Sequence, residues 1–488
     1  MPSNPLSPVF NGLQPAIVWA HFATLCAIPR PSKGEAELRE HLKAWAEARG
    51  LQTFVDATGN MIVRKPASPG HEAAPSVLLQ AHLDMVTQNN ADRPHDFTRD
   101  PIEPVIQGDW LVADGTTLGA DNGIGVAMML AALEDKTLVH GPLEALFTVD
   151  EEAGMGGARG LEPGVLQSKL MLNLDTEEWG EFYLGCAGGI NVTVDQPGHA
   201  EVLPAGFVGC QIDVRGLRGG HSGLNIHEGR GSAIKLLVRI LRQIEKRWPM
   251  RLSTFKGGTA RNALPREAFA TLALPAAAVA ELPAVLAEFE AAFRLELAGV
   301  DAGVSVSMAA CTVDKILAQA EQAVWLSSLH AAPHGVRRMS VQVPGVVEIS
   351  NNLGIVELSP EAGSCNFMVR FLVESAGVEL ANEIVSLFTL AGLKAEQYGY
   401  YPSWQPNPGS PLLAACQSAY REAFDADSSI QVIHAGLECG IIGGKYPDLD
   451  MVSFGPTIRG AHAPGESVEI ASVERSWRLL KEILLTLA

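Results

Sequence analysis

Four stretches of this chain end an apolar run on residues that can hold a metal or move a proton. Leu78 to Ala81 runs into His82-Leu83-Asp84, and Leu143 to Val149 runs into Asp150-Glu151-Glu152. Leu170 to Leu174 stops at Asp175-Thr176-Glu177, and Met451 to Phe454 leads toward a Gly-rich loop holding His462. Taken singly, each group has a plain structural role. His-x-Asp is a common tripeptide, and three carboxylates in a row are usually a solvated turn. Imidazole and carboxylate without thiolate are also the ligand set of zinc, manganese or cobalt.

The runs that carry these residues are short, nearly continuously apolar and bounded by turn signals. That pattern belongs to strands buried on both faces of a parallel sheet flanked by helices. Ligands bind such sheets at the carboxyl ends of the strands, so four such ends would converge on one crevice. Asp121 joins them from Gly115 to Gly125 (GTTLGADNGIG), a small-residue stretch that precedes the strong helix former Val126 to Glu134. It falls at or just before a helix N-terminus, where exposed amides and the dipole favour a carboxylate. An N-cap is its plain reading.

Upstream, Pro15 to Ala27 is apolar at helical spacing and is broken by Ile28-Pro29-Arg30-Pro31. Ser32 to Glu35 has capping-box spacing before a helix ending near Gly50. Phe54 to Val63 reads as a hairpin, and Asp92 to Asp109 as a polar loop. After Asp175 the character changes. Strand Phe207 to Arg215, helix Gly231 to Arg247, strands Leu252 to Lys256 and Ala268 to Leu274, helix Val279 to Ala298 and strand Val304 to Ala309 follow the order of a ferredoxin-like unit. A second, partly similar set comprises helix Ala318 to Leu329, strands Val346 to Leu358 and Cys365 to Phe371, and helix Glu379 to Leu390. The parallel-sheet pattern resumes near Lys394 to Gly399. The expectation is an α/β catalytic domain with a central, mostly parallel sheet, made discontinuously from residues 1–186 and 397–488. Into it is inserted an α+β lid and dimerisation domain, 187–396, of two ferredoxin-like units.

At 488 residues the chain is too long for one core. It is 47% hydrophobic and 19% charged, with no apolar run near the ~20 residues needed to span a bilayer. A net charge of −19 and a pI near 5.1 argue against nucleic acid or anionic membrane as partner, since both call for a basic face. Met1 to Gln14 lacks a basic start and an apolar stretch, so no signal peptide is expected and a cytoplasmic location is. The seven Cys contain no CxxC and are odd in number, which speaks against a disulfide framework and thiolate zinc.

Ala81-His82-Leu83-Asp84-Met85-Val86, the Asp121 loop, Glu151-Glu152, Asp175 and His462 resemble, in order and spacing, the co-catalytic zinc aminopeptidase, aminoacylase and carnosinase superfamily. Ile28-Pro29-Arg30-Pro31-Ser32, Asp150 to Met155, His434-Ala435-Gly436-Leu437-Glu438-Cys439-Gly440 and Gly455-Pro456-Thr457-Ile458 are similar to its aminoacyl-histidine dipeptidase branch, the cytosol non-specific dipeptidases. The resemblance implies two divalent ions, zinc with manganese or cobalt also fitting. His82 and Asp175 would complete one, Glu152 and His462 the other, with Asp121 bridging them. Such a pair, about 3.5–4 Å apart, activates water for amide hydrolysis. Glu151 would be general base and then acid, and Asp84 would fix the His82 tautomer. The resemblance further implies that His221 supports the oxyanion, Asn262 contacts substrate and Glu438 receives a free amino group. Arg370, ending a strand in the lid, suits capture of a terminal carboxylate, and pairing as a structural arginine suits it equally. The implied function is a dipeptidase acting on unblocked small peptides, Xaa-His among them, as a homodimer with His221 donated in trans. The alternatives are an N-acyl amino-acid amidohydrolase and a non-catalytic peptide- or metal-binding protein.

Overall fold

A computed structural model describes residues 8–488; the N-terminal reading falls partly on residues outside it. The chain forms two compact units, Met1–Gly185 with Pro406–Val432 and Leu437–Ala488, and Cys186–Gln405 with Ile433–Gly436.

The first unit is built on an eight-stranded sheet in the order Gln52–Val55, Met61–Lys65, Leu143–Thr148, Val77–His82, Leu170–Asn173, Asp450–Ser453, Glu181–Cys186, Ser429–Ile433. Leu143–Thr148, Val77–His82, Leu170–Asn173 and Asp450–Ser453 are mutually parallel, so their carboxyl ends lie on one edge. The expected hairpin forms and closes one side antiparallel. Every residue of Val77–His82 and Leu143–Thr148 is buried, the polar Gln80 and Glu144 included, each held by hydrogen bonds. Helix Ala120–Glu134 is apolar around its circumference and accordingly buried around it, packing on Val77–His82 and on helix Ala16–Ala27.

A four-stranded sheet absent from the sequence reading joins Ile458–Arg459, Ser467–Glu469, Trp110–Ala113 and Pro104–Gln107. It turns part of the expected polar loop into a strand. Its antiparallel pair Ile458–Arg459 and Ser467–Glu469 is the frame that carries the His462 loop.

Two local readings are corrected. No capping box forms at Ser32: the helix starts at Ala36, with Glu35 at the N-cap and no side-chain cap bond. Ser32 Oγ instead donates to Asp84 Oδ2 (2.7 Å), and Glu35 Oε1 accepts the amides of Lys33 (3.0 Å) and Asp150 (2.8 Å). Strand-end loops compete for both side chains and win them. Asp121 is likewise no N-cap. Gly119 precedes the helix in the left-handed region, Asp121 (φ −77°, ψ 113°) and Asn122 interrupt the helical backbone, no side-chain cap bond forms, and the Asp121 carboxylate faces the His82 and His462 imidazoles instead.

The second unit is built on a nine-stranded sheet containing the run Ser305–Ala310, Phe207–Arg215, Ala268–Pro275, Arg251–Gly257, Val347–Leu358, Ala362–Phe371, Gly188–Pro197, Ala395–Tyr401. Each half has the ferredoxin-like strand order, and the halves join antiparallel at Arg251–Gly257 and Val347–Leu358. The sequence reading missed the nesting. Gly188–Pro197 is the first strand of the second half although it precedes the whole first half, and Ala395–Tyr401 pairs with it instead of resuming the parallel sheet. Helix Ala233–Arg247 buries the stripe Ile234, Leu237, Val238, Leu241 and Ile244, leaves Lys246 and Arg247 exposed, and half-buries its other charged residues.

Candidate metal centre

Five side chains meet at the carboxyl edge of the parallel strands. His82, the last residue of its strand, places Nε2 3.1 Å from Asp121 Oδ1 and 3.3 Å from Asp175 Oδ1. His462 places Nε2 3.2 Å from Asp121 Oδ2 and 3.1 Å from Glu152 Oε2. Asp121 therefore turns one oxygen to each imidazole, and a second carboxylate flanks each of them. The ligand atoms of His82, Asp121 and Glu152 all lie within 4.8 Å of one another. Glu152 Oε1 is buried without a hydrogen-bond partner. A chain of alternating carboxylates and imidazoles with a spare buried oxygen fits two cations sharing Asp121, and the absence of sulfur fits a hard or borderline divalent ion.

Local backbone aims these groups. Asp150 (φ 55°) and His462 (φ 70°) both occupy the left-handed region, uncommon for residues with a side chain and frequent where a site over-determines the backbone. The turn at Asp150 directs two successive amides at Asp84: Glu151 N donates to Oδ1 (3.0 Å) and Glu152 N to Oδ2 (3.1 Å). Asp84 is fully buried, and its Oδ1 also lies 3.4 Å from His82 Nδ1, while its main-chain oxygen lies 3.1 Å from that nitrogen. With Nδ1 bonded there, Nε2 is the atom presented to Asp121 and Asp175. Burial opposes ionisation of Asp84, yet the imidazole, the Ser32 hydroxyl and the Glu151 amide hold its carboxyl well below the usual range.

The field of the site is strongly negative. Burial would lower the His82 pKa, but Asp175, Asp121 and Asp84 raise it well above 6.5. Hydrogen bonds to Asp121 and Glu152 draw His462 up to about 11. Burial, and then Asp175, Glu438 and Glu152 against the pull of His82, raise Glu151 well above the ordinary carboxylate value. Positive charge is what such a field lacks, and a divalent cation supplies it.

Glu438 opens helix Glu438–Lys445 and is fully buried in the same unit. Its Oε2 accepts from Gln80 Nε2 (2.7 Å) and Thr148 Oγ1 (2.5 Å), Oε1 has no hydrogen-bond partner, and burial pushes its pKa to about 7. His221, Asn262 and Arg370 belong to the second unit. There Arg370 is buried, with Nε to Ser222 Oγ (3.3 Å), Nη1 to Tyr401 Oη (3.1 Å) and Nη2 3.2 Å from His221 Nε2. His221 Nδ1 accepts the amides of Gly223 and Leu224, both at 3.2 Å. Asn262 and Arg370 line one open groove of about 460 Å³ with Met368 and Tyr398.

Sequence reasoning missed Arg30 and Glu466, which hold the Asp121 loop from either side, and Gln80 and Thr148, which hold the Glu438 carboxylate. Arg30 stood between two prolines and read as a helix break. Glu466 lies four residues beyond His462 in a Gly/Pro loop, a proximity that was its available signal.

The sequence matches peptidase family M20/M25/M40 over residues 78–486. It is 46% identical over 473 residues to the cytosol non-specific dipeptidase of Escherichia coli (strain K12), covering 97% of this chain and 98% of that protein. The crystal structure of aminoacylhistidine dipeptidase from Vibrio alginolyticus is similar at a TM-score of 0.89 and 43% identity, covering 97% of each chain. Aminopeptidase PepT from Bacillus cereus, 17% identical with a TM-score of 0.56 over 97% of this chain and 99% of that one, shares the fold. The chain belongs to peptidase family M20/M25/M40, and its likeness to the aminoacyl-histidine dipeptidase branch extends over nearly its whole length.

Proposed function

We propose that the chain is a dinuclear metallo-dipeptidase hydrolysing unblocked dipeptides, Xaa-His among them. The observation that carries this reading is the Asp121 carboxylate, which turns one oxygen to each of two imidazoles, each flanked by its own further carboxylate. Asp121 would be shared, His82 and Asp175 would serve one ion, and Glu152 and His462 the other. Two divalent ions held there, zinc or else manganese or cobalt, would activate water and polarise the scissile carbonyl.

The chain's own residues do the rest. Glu151, raised above the ordinary carboxylate value by burial and by its carboxylate neighbours, takes the proton of the attacking water and returns it to the leaving amine as the C–N bond breaks. Asp84 holds the His82 imidazole and the Glu151 and Glu152 amides in one geometry. Glu438 offers its unpartnered Oε1 to the substrate ammonium, and Arg370 with Asn262 receives the carboxylate end. Because His221 Nδ1 accepts two fixed amides, its ring proton sits on Nε2 beside Arg370 Nη2. The Nε2–H is then the donor that His221 offers the oxyanion. We take the active form to be a homodimer in which His221 serves the partner's site, in a cytosolic protein like its Escherichia coli relative. No helix among the described residues is long and apolar enough to cross a membrane.

The test is a substrate profile of metal-reconstituted enzyme on free and N-acetylated dipeptides. Cleavage confined to the free peptides is expected, whereas efficient turnover of N-acetyl substrates would move the assignment to an aminoacylase. A mixed dimer of His221→Ala and Glu151→Ala chains should regain activity, and an inactive mixture with heterodimers present would refute donation in trans.

A further inference from the structure

We propose that Arg30 and Glu466 form a clamp on the Gly119 peptide that sets the position of the Asp121 carboxylate, making them positioning residues for the dinuclear site; this rests on the reading that Asp121 bridges two ions. Arg30 is 2% exposed. Its Nη1 donates to the main-chain oxygens of Leu83 (2.9 Å) and Asp84 (3.0 Å), and its Nη2 to that of Gly119 (2.5 Å). One guanidinium thus ties the strand end that carries His82 to the loop that carries Asp121. Its own backbone is registered on the same strand end, since Met85 N donates to Arg30 O (3.1 Å).

Glu466, also 2% exposed, grips the other side of that loop. Its Oε2 accepts the amides of Leu118 (2.8 Å) and Gly119 (2.9 Å), and its Oε1 accepts the amide of Asp121 (3.1 Å). The Gly119 residue therefore gives its N–H to Glu466 and its C=O to Arg30. Glu466 also sits four residues past His462, so it fastens the loop of one imidazole to the loop of the shared carboxylate.

The glycines of this segment fit the same device. Gly119 has φ +69°, and a Cβ there would lie 2.4 Å from Arg30 Nη2; a Cβ on Gly123 would lie 2.7 Å from the same atom. The two glycines make a seat for the guanidinium. Three carbonyls on two separate segments need a planar fork, which lysine lacks, and three amides within four residues need an acceptor with two oxygens. Neither side chain touches the proposed ligand atoms. Their effect would reach the ions through the loop backbone, the route by which groups behind metal ligands change affinity 10–100-fold.

The test uses full-length Glu466→Gln and Arg30→Lys, stripped of metal and titrated with Zn²⁺ by calorimetry and chelator competition, with melting temperatures of the metal-free and loaded forms. The wild type should bind two ions. Each variant should bind at least one of them 10- to 100-fold more weakly, with a smaller gap between loaded and metal-free melting temperatures. Wild-type affinity for both ions in a folded variant overturns the clamp, even if the metal-free protein is less stable, because that outcome is a purely structural role. Should Arg30→Lys not fold, Glu466→Gln, nearly identical in shape, decides. A wild type that binds fewer than two ions overturns the dinuclear reading and the clamp with it, an outcome visible before any variant is compared.

Discussion

Replacing Asp84 by asparagine probes the junction on which the mechanism depends. The carboxylate accepts from Glu151 N, Glu152 N and Ser32 Oγ and lies against His82 Nδ1. Asparagine retains a single acceptor oxygen. Whichever way the amide turns, its NH₂ faces the N–H of Glu151 or of Glu152, and at least one charge-assisted bond of about 1.5–3 kcal/mol is lost in a fully buried setting. At 1.36 kcal/mol per tenfold, one such bond corresponds to about 10- to 150-fold in rate. Desolvation of the donor left facing the NH₂ adds to it. Since Asp84 positions the proposed base and both proposed ligand loops without belonging to the substrate groove, the loss should fall on kcat more than on KM. Metal affinity should drop 10–100-fold in parallel. The assay is kcat and KM at saturating metal, with ion affinities from chelator competition. A folded Asp84→Asn enzyme that keeps kcat and affinity within about threefold of wild type, below the roughly tenfold minimum for one lost bond, would refute the reasoning.

Glu151→Gln should lower kcat by about 10²–10⁴ while elemental analysis still finds the wild-type metal content; loss of metal instead would make Glu151 a ligand. Metal uptake should release protons. In the metal-free protein the surrounding carboxylates raise His82 above its ordinary value and draw His462 up to about 11, so at pH 8 the His462 imidazole carries a proton that an ion must displace. Calorimetry in buffers of different ionisation enthalpy should report proton release on metal uptake, about one per chain from His462 alone, and affinity should fall as pH falls; a signal independent of buffer contradicts this. The stabilisation that the His462 proton gives the metal-free protein has the opposite sense. It is full below pH 6.5, the imidazole's unperturbed value, and fades as pH rises toward about 11.

Much of the first unit could be read because its strands are buried on both faces and its chemistry sits at their ends. His82, Glu152 and Asp175 each stand at or just beyond a strand that announces itself by a nearly continuous apolar run. His462 was legible from motif order alone, since the small sheet that carries its loop is made of short, half-polar strands. The Ser32 and Asp121 readings failed for one reason. Capping propensity is a local preference, and tertiary partners, Asp84 for Ser32 and two imidazoles for Asp121, outbid it. The nesting of Gly188–Pro197 with Ala395–Tyr401 is a pairing across some 200 residues that no local pattern encodes. Arg30 and Glu466 act through backbone carbonyls and amides, and sequence does not say where main-chain groups will need a partner.

The central claim is that Asp121 is shared by two ions. Counting metal per chain by elemental analysis, in wild type and in Asp121→Ala after reconstitution with Zn²⁺, tests it most directly. The account predicts two ions in the wild type, and in Asp121→Ala either fewer ions or two bound far more weakly, because both imidazoles lose the carboxylate oxygen that faces them. Full and tight occupancy of two sites in Asp121→Ala would contradict it.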